Sequence, residues 1–224
     1  MHLPEILRPS HEPVRLEPAV AVRRRRLVVG ATLLIGAILL GSTLATPEGS
    51  TAFYVLALAL AATWIAGGLL SGPVPLGRRG GRPGEPRQLL VPALVGAAAF
   101  LAFLAASTAA RHIPGLAGAL DRVLDRADAG SAALVLGVAL VNGIAEEIFF
   151  RGALYSALGS HQPALGSTIG YALVTAATRN VVLVLAAIVM GALFCVLRRS
   201  TRGVLAPMVT HLVWSTLMLL ALPR

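Results

Sequence analysis

"GIAEEIFFRGAL", residues 143–154, sets Glu146, Glu147 and Arg151 in the middle of a long apolar run. The sequence on either side reads as membrane helix, so three ionisable side chains there need a physical reason. Of the 224 residues, 56% are hydrophobic and 13% are charged, against about 45–50% and about 25% in a soluble domain. Aromatics make up only 5%. The apolar excess is therefore Ala, Leu, Val and Gly, including the small residues that let membrane helices approach closely.

All 19 basic residues are Arg, and the formal net charge is +9. Such a balance points to nucleic acid or to a membrane surface. The charges sit in short clusters between apolar runs, and no basic face is interleaved with aromatics. They read as topology signals, and no nucleic-acid partner is expected. The single Cys195 excludes an intrachain disulfide framework and a thiolate metal site; it reads as a small buried hydrophobe. Arg23–Arg26 precede an apolar run without a small-residue cleavage site after it, so this run reads as a retained first span and not a signal peptide.

A bilayer core of ~30 Å needs about 20 apolar residues per helix. Runs at 27–45, 52–70, 89–110, 132–158, 164–178, 180–197 and 203–222 meet or approach that length. Only Arg179 separates the fifth from the sixth, which leaves a tight hairpin or a broken helix. In the segment 111–131, Ile113, Leu116, Leu120, Val123, Leu124 and Ala127 recur at helical spacing, with Asp121, Arg122, Asp125, Arg126 and Asp128 opposite. That pattern predicts an amphipathic helix lying in the membrane interface. The fold class expected is all-α, a polytopic transmembrane helical bundle of about seven spans plus this interfacial helix.

The domains expected are a disordered tail over 1–22, membrane helices with an Arg-rich loop over 23–88, and a domain over 89–224 that holds the opening motif. The tail, the loop "GPVPLGRRGGRPGEPRQ" (72–88) and the cluster Arg198, Arg199 and Arg202 all fall on one side. Positive loops mark the cytoplasmic side, which predicts a multi-pass plasma-membrane protein with a cytoplasmic N-terminus. Arg111, Arg122 and Arg126 fall on the other side, a mild conflict with that rule. No internal repeat is visible.

An ionisable residue near the bilayer centre costs about 2.5 kcal/mol or much more, and by default it marks function. Glu147 and Arg151 are spaced i, i+4, so they can pair along one helix. Glu146 then points elsewhere with no in-helix cation, while Asn142 lies one turn before it. The bland reading is a structural ion pair beside a neutral Glu. The functional reading makes Glu146 a general base for water. A second polar point lies in "GVLAPMVTHLVWSTLML" (203–219), where His211 and Ser215 share a helix face. A lone membrane His often only bridges helices by hydrogen bonds. The two runs are oppositely directed, so the Glu pair and His211 can meet at one depth.

"EEIFFRG" resembles the EExxxR signature of the CPBP family of intramembrane glutamic endopeptidases, the CAAX prenyl protease type 2-like or abortive-infection proteins. "LRRSTRGVLAPMVTHLVWS" (197–215) resembles that family's last motif, and the resemblance spans about residues 90–222. It implies that Glu146 activates the attacking water, that Glu147 and Arg151 form a supporting pair, and that His211 holds the oxyanion, as a donor must where negative charge develops. Ser215 stands where the family has Asn. In the middle motif, FxxxH, "STIGYALVT" (167–175) places Tyr171 at the aromatic and Thr175 at the histidine. Thr175 cannot titrate near neutral pH; His161, Thr178 and Asn180 are the other polar candidates nearby.

No cofactor is expected. A zinc site wants three or four His, Cys or carboxylate ligands, and the sequence has no HExxH, so a divalent metal is the minority alternative. The resulting expectation is an endopeptidase that hydrolyses a peptide bond of a membrane protein or lipid-associated peptide within the bilayer. The alternative is a catalytically inactive scaffold or immunity-type protein of the same fold, with Thr175 as the lesion. A proton-coupled transporter would favour broken helices in repeated halves, which are not seen. Substrate identity and oligomeric state are not legible.

Overall fold

The computed structural model describes residues 18–77 and 87–221. Among them every regular element is helical. The helices are α1 (Ala19–Ala45), α2 (Thr51–Ser71), α3 (Arg87–Ala110), α4 (Leu116–Asp128), α5 (Ala132–Leu158), α6 (Pro163–Ala176), α7 (Val181–Thr201) and α8 (Leu205–Ala221). Together they make a polytopic membrane bundle. Large apolar side chains such as Leu34, Leu101 and Leu173 stay exposed on its outside, as a surface solvated by lipid requires.

Helix α5 is the hub: it packs against α1, α2, α6, α7 and α8. Helix α1 pairs with α2, α3 with α8, and α6 with α7. Small residues make these approaches possible. A Cβ on Gly36 would overlap the Trp64 indole, and one on Gly67 would overlap Thr32, so α1 and α2 lie close together. On the other flank, a Cβ on Gly96 would come within 2.7 Å of the Thr210 carbonyl oxygen, which fixes α3 against α8. The core that results is built on Trp64, whose ring centroid lies 4.7 Å from that of Phe149 and 5.1 Å from that of Phe150. The two Phe of the opening motif are thus the packing anchors that seat α5.

Five helices, α1, α2, α3, α5 and α7, have the length and composition to cross a membrane. The two remaining runs form shorter apolar helices, α6 with 14 residues and α8 with 17, the latter at the lower end of the length that crosses a ~30 Å core. The reason for the short α6 lies at its end. Arg179 adopts φ +54°, and Asn180 caps α7 by accepting from the backbone N–H of Val182 and Leu183. This is the hairpin alternative, not a broken helix. The buried Asn180 amide donates to the Ala119 carbonyl at 2.8 Å, so α4 lies over the α6–α7 turn.

Helix α4 is amphipathic as expected, with Ala119 and Leu120 buried and Asp121 and Arg122 exposed. Arg126 departs from the expected polar face. It donates to the carbonyls of Leu44 and Thr46, which ties α4 to the α1–α2 turn. Residues 1–17 of the expected tail and 78–86 of the Arg-rich loop lie outside the described residues. Residues 19–22, assigned to the tail from sequence, are the first turn of α1. Arg23–Arg26 belong to that helix as well, and three of them do more than set topology. Arg24 and Arg25 donate to the carbonyls of Leu70 and Ser71 at the end of α2, and Arg26 to Ala157 near the end of α5. Cations are favoured at helix C-termini, where carbonyls lack helical partners.

Gly36→Val should force the Trp64 indole off Phe149 and Phe150. Overpacking of a core typically costs about 1–3 kcal/mol, which for a chain of this size lowers the melting temperature by roughly 2–12 °C. Thermal unfolding in detergent micelles checks this, with Gly30→Val, at a position with open space around it, as the comparison that should move little.

Candidate active site

The opening motif leaves α-helical geometry. Within α5, Ala132–Glu146 is α-helical, Glu147–Leu154 is π-helical and Tyr155–Leu158 is α-helical again. A π segment widens the helix and shifts its hydrogen-bond ladder, and such segments recur at functional sites. Carbonyls along it are served by neighbours. Ser167 of α6 donates to the Phe150 carbonyl at 2.8 Å, and Arg198 of α7 donates to the Arg151 carbonyl at 2.9 Å. Neither contact carries a recognisable signal in the sequence.

Glu147 and Arg151 are both 0% exposed, a burial that ionised groups tolerate only when paired. They form the expected i, i+4 pair, Arg151 Nη1 to Glu147 Oε1 at 3.1 Å. His211 of α8 joins them, with Nδ1 2.9 Å from the same oxygen. The sequence placed His211 opposite the Glu pair, and the structure specifies the member it contacts. The imidazole stacks on Phe194 with centroids 4.8 Å apart. Gly143, one turn before Glu147, brings α5 to van der Waals distance from the ring, since a Cβ there would lie 3.5 Å from His211 Cδ2. The guanidinium of Arg151 is walled by the rings of Tyr171 at 4.7 Å and Phe194 at 4.8 Å. Glu147 Oε2 and Arg151 Nε and Nη2 are buried without a hydrogen-bond partner among the described residues.

Glu146 is half-buried beside this cluster and makes its hydrogen bond elsewhere. Its Oε2 accepts from the Tyr171 hydroxyl at 2.7 Å. Sequence reasoning took Tyr171 only as an aromatic at a motif position, and the one available signal was a polar tip on an otherwise apolar helix. Asn142 does not join Glu146; its amide donates to the Ala57 carbonyl of α2 at 3.2 Å. The Thr175 hydroxyl donates to the Tyr171 carbonyl of its own helix at 2.8 Å. Thr178 and Asn180 build the α6–α7 turn, and His161 is exposed between α5 and α6.

Ser215 and Trp214, one turn beyond His211, line an open-sided apolar cavity of about 670 Å³ between α3, α4, α5, α7 and α8. The Trp214 ring lies 5.9 Å from that of His211, so the cavity ends beside the charged cluster. Glu146, Glu147, Arg151 and His211 are therefore assembled at one place, while Ser215 lines the neighbouring cavity and Thr175 braces the Tyr171 backbone. Among the described residues no three His, Cys, Asp or Glu side chains are grouped as ligands of a metal ion would be.

Residues 128–217 match the family model described as Type II CAAX prenyl endopeptidase Rce1-like. The match runs from the end of α4 into α8 and contains both motifs, in agreement with the CPBP resemblance read from them; α1 to α3 lie outside it. Comparison with curated proteins and with solved structures returned no match.

Removing one partner from a buried ion pair typically costs about 3–5 kcal/mol, because the other charge is left uncompensated. Arg151→Met should show a loss of that size in denaturant unfolding. Adding Glu147→Gln should restore part of it, and strictly additive costs would show that the two groups are not coupled.

Proposed function

We propose that this protein is an intramembrane endopeptidase that hydrolyses a peptide bond of a membrane protein or lipid-associated peptide. The observation that carries the reading is the division of labour between adjacent carboxylates. Glu147 is committed to Arg151 and His211, while Glu146 is half-buried and keeps an oxygen for water. One carboxylate thus holds the site together and the other is left for chemistry.

In this mechanism Glu146 takes a proton from water as the water oxygen attacks the scissile carbonyl. The proton then passes to the amine nitrogen as the C–N bond breaks. With Nδ1 of His211 held on Glu147, Nε2 is the ring nitrogen left to face substrate. The reading assigns both nitrogens as donors, so that Nε2–H stabilises the tetrahedral oxyanion while Glu147 and Arg151 fix the ring. The site lies inside a membrane bundle, so the bond cut belongs to a segment that enters the bilayer. We place the protein in the plasma membrane with its N-terminus on the cytoplasmic side, following the Arg-bearing segments. The inactive-scaffold reading keeps one observation in its favour, the hydroxyl of Thr175 tied to its own helix where the resembling family has a titratable histidine.

Peptide N-termini in membranes of cells making the wild type should include species that disappear with Glu146→Gln at equal expression. His211→Ala should deplete the same species, because loss of one oxyanion donor costs about 10²–10³ in rate. Profiles that are identical in all three would sink the protease reading and leave the scaffold.

A further inference from the structure

We infer that Tyr171 is the positioning residue for Glu146: its hydroxyl fixes Oε2 of that carboxylate and leaves Oε1 to the attacking water. The inference rests on the endopeptidase reading above. Arg151 and His211 each place a side-chain polar contact on Glu147. The hydrogen bond to Glu146 comes instead from Tyr171, at 2.7 Å, the short distance of a hydroxyl donating to a carboxylate.

Tyr171 is itself held on several sides. Its ring centroid lies 4.8 Å from that of Phe150, and the Arg151 guanidinium covers its face at 4.7 Å. Across from it, α7 passes close to the ring at Gly191, where a Cβ would lie in van der Waals contact with Cδ1 at 3.5 Å. Thr175 donates to the Tyr171 carbonyl, which ties the backbone beneath the ring. The hydroxyl therefore has little freedom to swing, and the carboxylate it holds cannot rotate freely. Preorganisation of this kind matters because a misplacement of about 1 Å at a reacting group can cost roughly 100-fold in rate.

The role is that of a donor and not of a second base. A phenol is a much weaker acid than a carboxyl group, so Tyr171 keeps its proton through the reaction. Glu146 Oε1 alone receives the water proton and later delivers it to the leaving amine. The chain thereby has a partner for its general base although residue 175 is a threonine.

The test uses the full-length protein in nanodiscs and a peptide spanning a cleavage site found by the comparison of N-termini. Tyr171→Phe keeps the ring packing and deletes the hydrogen bond. The expected result is a kcat about 100-fold lower with KM unchanged, because substrate contacts stay in place. A merely structural loosening would instead lower the folded fraction or raise KM. An infrared difference spectrum gives a readout independent of turnover. A carboxyl or carboxylate band should shift on Tyr171→Phe, and the same substitution made in Glu146→Gln protein should leave that region unchanged. A kcat equal to wild type, or no band shift, would overturn this role alone. Absence of Glu146-dependent cleavage by the wild type would overturn the endopeptidase reading and this role with it.

Discussion

The carboxylate of Glu147, fully buried between Arg151 and His211, is the constraint on which the rest of the structure depends. An ion pair in such a place has lost the water that would solvate it, and only close partners offset that loss. Each partner comes from a different requirement. Arg151 comes from spacing along α5, and its charge is covered by the rings of Tyr171 and Phe194. His211 comes from α8, which Gly96 lets α3 approach closely on its other side. Loss of Arg151 would leave the Glu147 charge without its cation in a medium that does not tolerate it. The π segment belongs to the same logic, since the carbonyls of Phe150 and Arg151 find donors on Ser167 and Arg198 of neighbouring helices.

Much of this was legible in the sequence because membrane burial makes charge conspicuous. Glu146, Glu147 and Arg151 stand out of an apolar run, and their spacing alone predicts which Glu takes the Arg. His211 stands out for the same reason. Periodicity identified α4 through its alternating faces, and the apolar runs marked the five long helices and the two shorter ones, α6 and α8. The failures are of another kind. The Tyr171 hydroxyl looked like a ring among apolar residues, because a phenol adds one atom and no charge. The hydrogen bond from Asn180 at the α6–α7 turn to Ala119 of α4 is a long-range contact with no local signature. Arg24, Arg25 and Arg26 were read as topology markers, while their hydrogen bonds to the ends of α2 and α5 require knowing which helix ends lie beside α1.

The geometry also separates stability from chemistry within one motif. In "EEIFFRG", Phe149 and Phe150 seat the helix on Trp64, Glu147 and Arg151 neutralise one another, and Glu146 alone among the charged members is half-buried. Its neighbour the apolar cavity, ending at Trp214 and Ser215, places an apolar wall beside the polar centre.

The most direct test of the central claim, that Glu146 delivers a solvent oxygen to a peptide carbonyl, is isotopic. Membranes from cells making Glu146→Gln would supply uncleaved substrate, and purified wild-type protein would be added to them in water enriched in oxygen-18. The account predicts newly formed peptide C-termini that carry one heavy oxygen with the wild type and none formed with Glu146→Gln. New C-termini that form equally with both proteins, or none with either, would contradict it.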